Sequence, residues 1–232
     1  MLESLNGFLL VDKPQGISFS TVVKTVKRKF NLVKVGHGGS LDTSASGLMV
    51  LLINDANKYT GEIMGADREF SGTMRLGLKT NTCCINGETL AETDLASAPD
   101  VTAVENALKG LRGDVFQTEP RFAAVRREGC ADYEIADTGE HSRFMAHVYR
   151  FRTGEADARR MTFELKCSKS LIVRALVNDF GEALGCGAAL EQLRRTKIGR
   201  FDVSEAIGFE KLLDTEIKDF SSWVLPLSAV LR

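Results

Sequence analysis

Thiols, imidazoles and long apolar runs are all scarce in this chain of 232 residues. Five cysteines occur (Cys83, Cys84, Cys130, Cys167 and Cys186) beside three histidines. The count is odd and no Cys-x-x-Cys pair exists, which argues against a disulfide framework or a zinc site and for a reducing, cytoplasmic setting. Met1 leads into Glu3 and Asn6, so no secretory leader is expected. No apolar run approaches the ~20 residues that span a bilayer. A net charge of −1 does not announce a nucleic-acid binder. Local charge says more. Lys24, Lys27 and Arg28 are spaced to share one helical face, and Arg194, Arg195, Lys197 and Arg200 form a second cluster. Either cluster suits phosphates, and either equally suits a solvated face.

What the chain does have is a glycine-rich stretch, Val35-Gly36-His37-Gly38-Gly39-Ser40-Leu41-Asp42-Thr43-Ser44-Ala45-Ser46-Gly47-Leu48. One carboxylate, Asp42, sits near its middle, and the small residues Ser44, Ala45 and Ser46 leave room beside it. The apolar run 48–53 reads as a buried strand. An acid on a supple loop held by a rigid strand is a plausible catalytic position, and the same acid could simply cap a turn. A phosphate-cradling loop would need Lys-Ser/Thr after its last glycine, and a dinucleotide loop a third glycine where Leu41 stands. A nucleophile elbow would need glycine two residues either side of the serine.

Around this stretch the chain reads as interleaved strands and helices. Residues 7–11 form a short strand. Ser18 or Ser20 caps a helix with Val22, Val23, Val26 and Phe30 on its apolar side. Residues 55–64 read as a short helix and 68–77 as a strand placing Phe70, Gly72 and Met74 on one face. Thr102 and Glu105 form a capping box before a helix at 103–111. Residues 119–152 are polar, crowded by Arg126, Arg127, Asp132, Glu134, Asp137 and Glu140, and suit an inserted lobe with a thin interior. Residues 160–167 alternate as a half-buried strand. Ser168 starts the strongest helix, striped by Ile172, Val173, Leu176, Val177, Phe180 and Leu184 and ended by Gly185-Cys186-Gly187. Arg174 lies among these apolar residues. It either snorkels to water or waits for a carboxylate. Residues 191–195 read as a short helix, 199–203 as a strand, and Ser204 as the cap of a final helix to 213. Several neighbouring strands look antiparallel, so the expected class is α+β with a mixed sheet.

These residues resemble the TruB-type tRNA pseudouridine synthases nearly end to end. Gly7-Phe8-Leu9-Leu10-Val11-Asp12-Lys13-Pro14-Gln15-Gly16 looks like the family's first motif. Gly36-His37-Gly38-Gly39-Ser40-Leu41-Asp42 looks like its catalytic loop, with Gly38 where threonine is usual. Arg75-Leu76-Gly77 and Thr80-Asn81-Thr82 follow its aromatic motif. Cys167-Ser168-Lys169 with Arg174, then Leu184-Gly185-Cys186-Gly187-Ala188 and Leu193-Arg194-Arg195, look like its third motif and the segment beyond. The resemblance implies the pseudouridine synthase fold, a central, mostly antiparallel sheet flanked by helices, as one catalytic domain with a thumb-like RNA-binding lobe at about 119–152. It implies isomerisation of a T-loop uridine (position 55 of tRNA) to pseudouridine by a monomer that needs no cofactor or metal. On it, Asp42 is the nucleophile, Arg174 its partner and Phe70 the platform for the target base. His37 holds the loop, Lys13 and Pro14 shape the pocket floor, and Lys169 and Leu193 are further substrate contacts.

Three departures are visible. Phe70 stands where the family offers tyrosine, and phenylalanine can stack but has no hydroxyl to move a proton. The segments Phe122-Ala123-Ala124-Val125-Arg126 and Ser168-Lys169-Ser170-Leu171-Ile172 keep their patterns only in part. The sequence stops at Arg232, soon after Leu225-Pro226-Leu227, where most bacterial members carry a small RNA-binding PUA domain, so weaker tRNA affinity is expected. A second reading is a non-catalytic tRNA-binding or tRNA-folding protein on the same scaffold. The retention of Asp42 with Arg174 speaks against it, because binding alone needs neither. A glycosidic hydrolase would want a second carboxylate opposed to Asp42, and none stands out.

Overall fold

Backbone contacts divide the chain into a unit of residues 1–68 with 194–232 and a unit of residues 69–193. The structure, a computed structural model, describes residues 4–118, 122–127, 130–135 and 143–229.

The first unit is built on the strand Gly7–Lys13, buried at nearly every position. It runs antiparallel to Ser46–Ile53 from Gly7↔Ile53 to Lys13↔Gly47. Ile207–Gly208 joins it in parallel, and Val224–Leu225 antiparallel. Ser46–Ile53 also pairs with Val35–His37, and in parallel with Ala188–Ile198 through Arg194↔Ser46 and Arg195↔Gly47. A strand with partners on both edges and cover on both faces reads as an unbroken apolar run, as 48–53 does. Phe8, Leu10, Leu48, Val50, Leu52, Ile63, Ile198 and Phe201 share one core. The helix Phe19–Lys29 buries Val22 and Val26, and Ser18 caps it by accepting the Thr21 N–H. Residues 55–64 are helical in two pieces, the 3₁₀ turn Asn54–Tyr59 and the helix Thr60–Gly65.

In the second unit the strands Arg68–Leu76, Arg160–Cys167, Arg143–Ala156 and Gly113–Thr118 lie side by side in that order. The last three run antiparallel. Inward residues alternate with outward ones along Arg160–Cys167, which matches its sequence pattern. The helices Val101–Lys109 and Val173–Leu184 bury Val104, Leu108, Leu176, Val177 and Phe180 in a core shared with Phe70, Met74, Phe151 and Phe163. The Phe151 ring meets Phe163 and Phe180 nearly edge-on at 6.0 and 5.9 Å. Gly185, at φ 82°, ends the longer helix in the left-handed region.

Several elements differ from the sequence reading. The helix at 101 is capped by Asp100, which accepts from the Thr102 and Ala103 N–H groups, so Thr102 lies two residues past the cap, inside the first turn. Ser168 caps no helix; its Oγ accepts the His147 N–H at 2.9 Å, and the Gln117 amide satisfies Ile172 instead. Residues 191–195 are strand, because they lie within Ala188–Ile198 and find sheet partners there. Asp202, not the Ser204 side chain, accepts the cap bond near 204, and the last helix is Phe209–Asp214. Of the polar stretch 119–152, residues 119–121, 128–129 and 136–142 lie outside the described residues, which removes Asp137 and Glu140. The backbones of Phe122–Arg127 and Cys130–Ile135 form a hairpin. From 143 onward the stretch is sheet with Ala146, Val148 and Phe151 buried, so its interior there is packed rather than thin.

Candidate active site

Asp42 lies between the strands Val35–His37 and Ser46–Ile53 and is exposed. The loop that carries it is tied down at almost every other residue. The Gly38 N–H donates to the Val50 carbonyl at 2.8 Å, and the Ala45 N–H to the Asp42 carbonyl at 3.1 Å. The His37 ring packs edge-on to Phe19 at 5.0 Å, and its Nδ1 accepts the Gly39 N–H at 3.3 Å. Glycine at 39 is required by φ 131°, and at 47 by φ 105° and by the backbone of Arg195 alongside. A Cβ on Gly38 would stand 2.2 Å from Cγ2 of Ile63, so Ile63 occupies the room that a larger residue would need.

The turn after the first strand braces the loop from another side. Lys13 is fully buried, and its Nζ donates to the Pro14 and Ile17 carbonyls at 2.9 and 2.8 Å. The Gly16 N–H then donates to the Thr43 carbonyl at 2.8 Å. Burial pushes the Lys13 pKa down to about 8, opposed by the nearby Asp42 carboxylate and assisted by Arg195. Pro14 is half-buried at the start of this turn. His37, Lys13, Pro14 and Asp42 are thus one constellation.

Sequence reasoning missed two members of it. Arg195 is buried, and its guanidinium donates to the carbonyls of Gly39, Ser40 and Leu48. Arg68, also buried, donates to the carbonyls of Gly38, Met64 and Ala66. Burial first, then the neighbouring Arg68, lowers the Arg195 pKa, while Asp42 raises it. The expected cationic surface at 194–200 is therefore mostly committed inward. Arg194 makes a two-pronged bond to Asp12 at 3.0 and 2.7 Å, and Lys197 pairs with Asp202 at 3.1 Å. Lys24, Lys27 and Arg28, in contrast, are exposed as expected.

The remaining candidates belong to the second unit. Phe70 is 8% exposed beside Met74 and Phe163 in the core. Two residues on, a Cβ at Gly72 would lie 2.5 Å from both the Phe163 ring and the Gln192 carbonyl oxygen, so there is no room for a side chain there. Arg174 is half-buried at the second position of the helix Val173–Leu184. Its charge opposes the upward push of burial on the Cys83 thiol, and Asp179 adds to that push. Lys169 is exposed and Leu193 half-buried. Among the described residues, no three His, Cys, Asp or Glu side chains are grouped as metal ligands. None of the described helices is long and apolar enough to cross a membrane.

The chain matches the model of the TruB family pseudouridylate synthase N-terminal domain over residues 27–173 and that of the tRNA pseudouridylate synthase B C-terminal domain over 174–232. It is 36% identical over 230 residues to tRNA pseudouridine synthase B of Burkholderia lata, covering 98% of this chain and 71% of the relative. This chain belongs to the TruB family. A second TruB relative, from Chromohalobacter salexigens, is 34% identical across 98% of this chain and 75% of its own length. The fold is that of pseudouridine synthases. Cbf5 in a Cbf5-Nop10-Gar1 complex superposes with a TM-score of 0.73 at 24% identity, over 96% of this chain and 60% of that one. A chain of an H/ACA RNP bound to a substrate RNA containing 2′-deoxyuridine gives 0.71 at 23% identity, over 96% and 59%.

Proposed function

We propose that this TruB family member isomerises uridine to pseudouridine in the T loop of tRNA, at position 55, as a monomer in the cytoplasm. The observation that carries the reading is Asp42, an exposed carboxylate on a loop whose backbone is held by buried cations. Its relatives' names as tRNA pseudouridine synthase B support the reaction and the RNA class.

The reaction breaks the bond between N1 of uracil and C1′ of the ribose and joins C1′ to C5. Every atom is retained apart from proton exchange, so no co-reactant is needed. Asp42, ionised, is the nucleophile that lets the base detach. Arg174 is the second catalytic residue of this reading. The target uridine cannot react while stacked, so it is flipped into the pocket. Phe70 receives its face, which offsets the lost stacking by about 1–3 kcal/mol. Because Phe70 has no hydroxyl, the C5 proton leaves to a different base or to water. His37 keeps the loop in shape through the Gly39 N–H. Lys13 and Pro14 form the floor as the turn that meets Thr43. Lys169 and Leu193 contact the RNA. The whole chain acts as one catalytic domain.

Incubation with an unmodified T-arm RNA, followed by mass-spectrometric detection of pseudouridine, tests this directly. Wild-type protein converts the RNA, and Asp42→Asn abolishes conversion while RNA binding survives. Turnover by the folded variant removes Asp42 as the nucleophile.

A further inference from the structure

Three donors of the Arg195 side chain land on both shoulders of the loop that carries Asp42. Nε reaches the Leu48 carbonyl at 2.8 Å, Nη1 the Ser40 carbonyl at 2.8 Å, and Nη2 the Gly39 carbonyl at 3.4 Å. Gly39 and Ser40 precede Asp42 and Leu48 follows it, so one planar fork closes residues 40–48 into a ring. The backbone of the same residue closes it a second time, because Arg195 is the sheet partner of Gly47. A Cβ at Gly47 would stand 2.2 Å from the Arg195 carbonyl oxygen, which shows how closely the two backbones are drawn together. Arg68 extends the grip by one residue, with Nη2 donating to the Gly38 carbonyl at 3.4 Å and to the Met64 carbonyl at 3.1 Å. Three consecutive carbonyls, at 38, 39 and 40, therefore point at guanidinium groups.

Two neighbouring buried guanidinium groups are a costly way to fill space. Apolar side chains of similar volume would do it at least as well. An apolar side chain cannot, however, fix the directions of several carbonyls at once. A lysine ammonium cannot do it either, because it lacks the rigid fork. The arrangement is accounted for if what it secures is the shape of the loop.

We propose that Arg195 is a positioning residue for the isomerisation: its guanidinium clasps the two ends of the Asp42 loop, with Arg68 as a second brace, and so sets where the Asp42 carboxylate works. This rests on the role assigned above to Asp42. Both arginines grip the loop through its backbone carbonyls. Misplacing a reacting group by ~1 Å can cost about 100-fold in rate.

The test is steady-state pseudouridine formation on a T-arm RNA by wild type, Arg195→Lys and Arg68→Lys, with thermal unfolding of each and assays run well below the lowest midpoint. Arg195→Lys lowers kcat about 100-fold with KM within about threefold, the signature of a group that matters only in the transition state. Arg68→Lys lowers kcat by about tenfold in the same selective way. A purely structural residue would leave kcat per folded molecule at the wild-type value, so a folded Arg195→Lys enzyme with wild-type kcat overturns the clasp. If Arg195→Lys does not fold, Arg68→Lys decides. Unchanged kcat overturns the proposal, and a kcat-selective loss upholds it. A wild-type protein that makes no pseudouridine counts against the function reading, whereas an active wild type with indifferent variants counts against the clasp alone.

Discussion

Lys24, Lys27 and Arg28 project from the helix Phe19–Lys29 into solvent, whereas Arg194, Arg195 and Lys197 are turned onto carboxylates and carbonyls of their own unit. On paper the two clusters are equivalent. The difference is what lies opposite each. The helix face has water opposite it, and Val22 and Val26 alone are drawn into the core. The strand Ala188–Ile198 runs beside the glycine-rich loop, whose carbonyls need donors once they are buried. Positive charge near a nucleic-acid enzyme's site thus has two uses, and only the exposed kind is available to phosphate.

That contrast can be broken or sharpened in three ways. The largest effect is expected from reversing the exposed cluster. Lys24→Glu, Lys27→Glu and Arg28→Glu together leave thermal stability nearly unchanged, lower tRNA affinity by about tenfold or more, and flatten the dependence of log K on log salt. A salt titration of binding measures both, and unchanged affinity would make this face plain solvated surface. Next comes Asp12→Ala, which strips Arg194 of its two-pronged partner. It costs about 1 kcal/mol, visible as a lower unfolding midpoint, because both groups are partly exposed. If Arg194 were instead a phosphate contact, Asp12→Ala would tighten tRNA binding with no loss of stability.

The last test concerns Lys13, a further buried cation of this unit. Its folded pKa of about 8 lies below its ordinary 10.5. Between those values the unfolded chain holds a proton that the folded chain has released, so this group's contribution to stability rises with pH across that window. Below pH 8 both states are protonated, and the full cost of burying the ammonium stays in place. Urea midpoints at the two ends of the window should therefore move in favour of wild type relative to Lys13→Met. A constant difference would mean that Lys13 keeps an ordinary pKa in the fold.

How far the sequence could be read depended on whether local pattern and tertiary partner agreed. They agreed for 48–53, whose apolar run is a doubly covered strand, and for Arg160–Cys167, whose alternation matches its burial. They disagreed at 191–195. Glu, Gln, Leu and Arg favour helix locally, but pairing with Ser46 and Gly47 makes the segment strand. The same misreading hid Arg195, since a helical face would have turned it to solvent. Arg68 was hidden for a related reason: it opens an alternating strand, and nothing in its neighbours tells that carbonyls at 38, 64 and 66 converge on it. Asp42 was legible because glycines and small residues announce a loop whose lone acid has space around it. The residues that make such a loop rigid are distant in sequence, and distance is what pattern reading does not see.

Position 38 has a history written into its neighbour. The threonine that the family resemblance leads one to expect there cannot be restored by itself, because the methyl of Ile63 already fills the place its Cβ would take. Glycine at 38 and isoleucine at 63 form an interlock in which each choice permits the other. Exchange between this loop and a threonine-bearing one must pass through a smaller residue at 63 first, so the two positions are expected to drift as a pair.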